Sequence, residues 1–157
     1  MKTNNTTRIT IATVFANLLN KYFVVNTHDE SLVVEALRRS NNALDYASLT
    51  DLADYLNTLD QNQLEGLAHN IKGIYHELKY ADNINNLNNG ISAELYEHNN
   101  HAGADIMLKD SSTGELINEV QLKATDSSGY IAQHYTHYPD IDVVATSEIA
   151  ESLDHVQ

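Results

Sequence analysis

The hydrophobic period of this chain changes once, and that change limits what it can fold into. Up to about residue 80 the apolar residues return every three or four positions, whereas beyond the Asn-rich stretch 83–89, which ends in Gly90, they return every second position. The first spacing lines one face of a helix and the second one face of a strand. Helices followed by a sheet make an α+β architecture, an α/β sandwich in which helices cover a small sheet.

The helical part carries its own punctuation. Ile9, Ile11, Val14, Phe15, Leu18, Leu19, Tyr22 and Phe23 read as one face of a first helix. Thr27 with Glu30 is a capping-box pattern that opens a second helix through Leu32, Val33, Ala36 and Leu37, with Arg38 and Arg39 near its negative end, before Asn41 and Asn42 break it. Ser48 with Asp51 opens a third, from Leu49 to Leu56. Asp60 with Gln63 caps a fourth, striped by Leu64, Leu67, Ile71, Ile74 and Leu78. Residues 1–58 are therefore expected to form a helical subdomain, with residues 59–157 as a second domain. In the second domain, alternation marks strands around Ala93 and Leu95, around Ala104, Ile106 and Leu108, and around Val120, Leu122 and Ala124. Ser111 to Gly114 makes the tight turn of an antiparallel hairpin. A helix is expected from about Tyr130 to Tyr138, stopped by Pro139, then a strand over Ile141 to Ala145 and a last helical turn opened by Ser147. From residue 60 the order is α-β-β-β-α-β.

Charge and composition exclude several classes of function. With 9 Lys+Arg against 22 Asp+Glu the formal charge is −13, so the chain cannot grip nucleic acid by a broad basic surface. Residues 66–157 hold 4 of the basic and 14 of the acidic groups, which concentrates the acidity where carboxylates can also serve as metal ligands. The absence of Cys removes disulfides, thiol catalysis and zinc ribbons. The apolar run from Ile9 to Leu19 is interrupted by Thr10, Thr13 and Asn17, too polar and short to span a bilayer, and no secretory-signal pattern is seen. No membrane partner is expected, and the expected compartment is the cytoplasm, or a host-delivered form.

The chemistry sits on the alternating strands. Glu119, Gln121 and Lys123 share one face of the third strand, opposite Val120 and Leu122, and on the neighbouring strand Asp105 can turn toward the same side. Upstream, Glu77 ends a helix that must pack against this small sheet. Carboxylates and a Lys meeting on a half-buried sheet suit metal-assisted phosphodiester hydrolysis. Hard oxygen ligands hold Mg²⁺ or Mn²⁺, the ion neutralises charge that develops on the phosphate, and the Lys positions the attacking water.

Glu77 in the segment Lys72 to Glu77, Gly103-Ala104-Asp105 entering a strand, and Gln121-Leu122-Lys123 in the next strand resemble the PD-(D/E)XK nuclease superfamily. Gly-x-Asp followed by Gln-x-Lys is more specifically similar to its Mrr-like branch, where Gln replaces the usual second acid. The likeness spans about residues 64–146. It implies a restriction-endonuclease-like αβββαβ core, with Glu77 and Asp105 as metal ligands, the Gln121 side chain or the Leu122 backbone carbonyl completing the site, and Lys123 as the catalytic Lys. The Pro of the eponymous Pro-Asp is missing, and Glu119 adds an acid that the pattern does not require. An alternative register makes Glu119-x-Gln121 the active pair with Lys123 in support.

Each of these residues also has a plain structural reading. Asp105 can end a turn, Lys123 can protect an edge strand, Glu77 can be a solvated helix residue, and Glu119 reads better as a cross-strand acid than as a ligand. His98, His101, His134 and His137 read as surface histidines, His76 as a packed helix residue, and Tyr130, Tyr135 and Tyr138 as core. The functional expectation is a divalent-metal-dependent nuclease acting on DNA or RNA, with DNA favoured, and with a homodimer or a basic protein as possible partner. The alternatives are a nuclease-fold module that does not cleave, serving assembly in a phage or defence complex, and a toxin nuclease neutralised by a partner.

Overall fold

The computed structural model describes residues 2–96, 105–123 and 140–145. The chain is mixed α+β: α1 (Lys2–Leu19), α2 (His28–Arg39), a single 3-10 turn (Asn42–Leu44), α3 (Leu49–Asn57) and α4 (Gln61–Asn86) precede β1 (Ile91–Leu95), β2 (Ile106–Asp110), β3 (Leu116–Lys123) and β4 (Asp142–Ala145). Two units, residues 1–76 and 77–157, divide within α4, whereas the pattern of the sequence had suggested a boundary at residue 58. The helix expected over Tyr130–Tyr138 and the turn at Ser147 lie outside the described residues.

In the first unit the capping signals operate as spaced. The Glu30 amide donates to the Thr27 hydroxyl at the start of α2. Ser48 and Asp51 exchange both bonds of a capping box at α3, and Asp60 and Gln63 bond reciprocally ahead of α4. α1 packs against α2 and α3. Ile11, Val14, Phe15 and Leu18 are buried on α1, as are Val33, Val34 and Leu37 on α2 and Leu52 and Leu56 on α3.

The first helix departs from the sequence reading at both ends. It begins at Lys2, and Ile9 is 65% exposed on its outer side. Tyr22 and Phe23 are not part of it. The Lys21 amide bonds to the Leu18 carbonyl and the Tyr22 amide to the Asn17 carbonyl, with Lys21 at φ 60°. That is a Schellman closure with a left-handed residue at its centre, and it ends the helix before the apolar stripe runs out.

The second unit is a four-stranded sheet in the order β1-β2-β3-β4, antiparallel except for the parallel β3–β4 pair. A parallel pair needs a connection of a dozen or more residues, and 18 residues separate β3 from β4 in the sequence. Ala93, Ile106 and Val120 line one face of the sheet and are buried with Ala81 of α4, flanked by Tyr80, Ile84, Leu95 and Leu108. A bulge opposite Leu108/Lys109 shifts β3 by one residue and leaves Leu116 and Ile117 exposed, so regular alternation starts only at Asn118. The hairpin loop is tied by Asp110, whose Oδ1 accepts from the Ser112 amide and hydroxyl and from the Thr113 amide, while Gly114 takes the left-handed position. These bonds, the Ser112 hydroxyl's first, hold the Asp110 carboxyl below its ordinary range.

Asn85 secures α4 to the sheet. Its amide nitrogen donates to the Ala93 carbonyl at 3.0 Å and its oxygen accepts from the Ala93 amide at 2.7 Å, so one side chain pairs both backbone groups on the outer edge of β1. Because Ala93 is buried, Asn85→Ala leaves two backbone groups unpaired, and chemical denaturation should show a loss of about 1–3 kcal/mol. Lys21→Gly, which relieves a left-handed L-residue, should raise stability by about 1 kcal/mol in the same measurement.

Candidate functional site

Of the residues singled out by the sequence, Glu77, Asp105, Glu119, Gln121 and Lys123 lie in the second unit. α4 presents Tyr80, Ala81 and Ile84 to the sheet, and Glu77, one turn ahead of Ala81, continues that stripe in a half-buried position. Asp105 directly precedes β2. Its amide donates to the Val120 carbonyl at 2.9 Å, and two residues further along β3 the Leu122 amide donates to Asp105 Oδ2 at 3.0 Å. The carboxylate thus takes the place of a backbone acceptor where β2 and β3 part. Asp105 is thereby bonded to the peptide between Gln121 and Leu122.

Gln121 is half-buried on β3, in register with Val143 of β4, and alternation puts it on the face of Glu119, away from Val120. Lys123 is the last residue of β3, in register with Ala145. Glu119 belongs to a pair the sequence did not announce, since its carboxylate accepts the hydroxyl of Tyr96, which follows β1. A cross-strand acid is therefore the reading this pair supports for Glu119. Alternation placed Tyr96 on the face of Glu94, and the step across β2 to Glu119 was the missing piece of information. On the same face Lys109 Nζ sits 2.9 Å from Glu94 Oε2, a surface pair worth about 0.2–1 kcal/mol. His98, His101, His134 and His137 lie outside the described residues.

The donors that the sequence names, the Asp105 carboxylate, the Leu122 carbonyl, the Gln121 amide and Glu77, are all oxygen, but they do not share one face, since Gln121 points away from Val120 whereas Glu77 continues the α4 stripe that covers Val120. Such a set fits a hard divalent ion rather than a transition metal. Among the described residues, however, no three His, Asp or Glu side chains gather closely enough to hold a metal by themselves. Asp105 and Leu122 are brought together, whereas a convergence of Glu77 with Asp105 and Glu119 is not seen.

No family model, curated protein or solved structure matches the chain. Among the described residues no helix is long and apolar enough to cross a membrane.

The Tyr96 hydroxyl is pushed up to about 12, first by burial and then by its bond to Glu119 and that residue's negative charge. In Glu119→Gln the last two causes weaken while burial remains, so ultraviolet titration of phenolate should show one tyrosine ionising earlier, between 10 and about 12. The raised value also sets a sign for stability. The folded chain keeps this proton longer than the unfolded one, so the contribution is complete below pH 10 and is lost as pH climbs toward about 12.

Proposed function

We propose that the second unit is a restriction-endonuclease-like domain that hydrolyses phosphodiester bonds of nucleic acid with the help of Mg²⁺ or Mn²⁺. The observation that carries this reading is the bond between Asp105 and the Leu122 amide, which sets a carboxylate against the backbone of Gln121-Leu122-Lys123. The run α4, β1, β2, β3 and β4 follows the chain order of those elements in the αβββαβ core that the resemblance implies, with the second helix of that core outside the described residues.

In this reading Asp105, Gln121, the Leu122 carbonyl and Glu77 are the groups that would hold the ion, and Lys123 would orient a water for attack and offset charge on the phosphate. A bound divalent ion would supply the positive charge that an acidic unit lacks for binding phosphate. One oxygen of Asp105 is engaged by the Leu122 amide, which helps to orient the carboxylate. DNA is the favoured substrate over RNA. A second reading, a nuclease-fold module that binds partners without cutting, draws its support from the lack of a three-acid cluster among the described residues.

Asp105→Asn separates structure from chemistry, because an amide oxygen still accepts from Leu122 while the charge is gone. Purified protein should cut labelled DNA or RNA with Mg²⁺ or Mn²⁺ and not with EDTA, and both Asp105→Asn and Lys123→Ala should lose at least about 100-fold in rate. Unfolding midpoints should stay near that of the parent. A folded parent that cuts no substrate with either ion would overturn the nuclease reading in favour of the module.

A further inference from the structure

The first unit contains a feature that the nuclease reading does not use. α1 and the first half of α4 flank an open trough of about 510 Å³, lined from both helices at matching intervals. Positions 8, 11, 12, 15, 16 and 19 of α1 face positions 61, 64, 65, 68, 69 and 72 of α4, each following the i, i+3, i+4, i+7 spacing of one helix face. Each stripe runs about three turns, or roughly 16 Å at 1.5 Å per residue. Ile11, Phe15 and Leu64 contribute large apolar groups, while Ala12, Ala16 and Ala68 contribute small ones that admit a close neighbour.

Two properties identify the occupant. The first is openness, since Ala12 and Ala16 remain exposed along α1. A small-molecule pocket encloses most of its ligand, whereas an open trough flanked by two helical stripes takes the face of a third helix. The second is charge. The groups lining the trough include Arg8 and Lys72, two of the chain's 9 basic residues, against Glu65, one of its 22 acidic ones. A chain of net charge −13 thus places a net positive rim on an apolar floor, which complements carboxylates.

We propose that this trough docks an amphipathic helix of a partner protein, about three turns long, whose apolar stripe is flanked by Asp or Glu. Its apolar residues lie along Ala12, Ala16 and Ala68, and its acids meet Arg8 and Lys72. The site is independent of whether the sheet unit cuts nucleic acid.

The test uses the full chain and two synthetic fluorescein-labelled helical peptides of about 14 residues, identical in a Leu stripe and flanked by Glu in one and Lys in the other. In low salt, fluorescence anisotropy should show the Glu-flanked peptide binding at least about tenfold more tightly, with the preference shrinking as salt rises. The double variant Arg8→Glu/Lys72→Glu should reverse the preference. Ala16→Trp, which fills the floor, should abolish binding of both peptides with its circular dichroism spectrum unchanged. Equal binding of the two peptides, or no binding of either, overturns the proposal. Binding of laurate without either peptide overturns it in favour of a small amphiphile. A dimer seen by light scattering without peptide, and lost in Ala16→Trp, overturns it in favour of a second copy.

Discussion

The second unit depends on how closely α4 can approach the sheet. Ala81 on the helix and Ala93 on β1 meet where larger side chains would hold the two apart, and Ile106 and Val120 fill the space beside them. At that separation Asn85, with its short side chain, reaches across and pairs both backbone groups of Ala93. The helix then covers the edge of the sheet as well as its face, which removes pairing groups that an edge strand otherwise offers to solvent or to another chain. Glu77 takes its place from the same approach, being one turn up the stripe that Ala81 and Asn85 continue.

At the other end of β2 a second substitution of side chain for backbone sets the candidate site. β2 and β3 stay paired through Ile106 and Val120, then Asp105 closes the ladder with its own carboxylate on the Leu122 amide. A carboxylate in that role is oriented by its bond to the strand, and orientation is also what a ligand or catalytic group requires. The Tyr96 and Glu119 pair lies on the face shared by Gln121, where it ties the end of β1 to β3 across the intervening strand. Structural and chemical demands on this region therefore fall on neighbouring residues, and a variant that preserves an acceptor while removing charge is needed to tell them apart.

Much of this was legible in the residues. The change of period marked the passage from helix to sheet, and three pairs of polar residues at i and i+3 marked the starts of α2, α3 and α4, because capping is a local interaction that a four-residue window contains. The hairpin at Ser111 to Gly114 was equally local. What escaped was non-local or lacked its usual signal. The end of α1 uses Lys21 where glycine is the usual marker, so the apolar stripe appeared to continue through Tyr22 and Phe23. The bulge before Asn118 adds a residue that no spacing announces. Asn85 reads as one more member of an Asn-rich stretch until Ala93 is placed opposite it. For the candidate site, alternation correctly separated Val120 from the residues on either side, while the bond from Leu122 to Asp105 required knowing where two strands diverge.

The closure at Lys21 has a bearing on how the chain fares in concentrated solution. By turning the backbone there, it releases four consecutive apolar residues, Tyr22, Phe23, Val24 and Val25, from any helix, and each is more than a third exposed. Aromatic and β-branched residues in uninterrupted series, with no charge among them, are the composition that seeds intermolecular strand stacking. The residue that makes the turn is also the cation beside the series, with Asn26 at its far side. Lys21 therefore acts as a gatekeeper in two senses, as the geometric stop of a helix and as the charge that discourages identical segments from stacking in register.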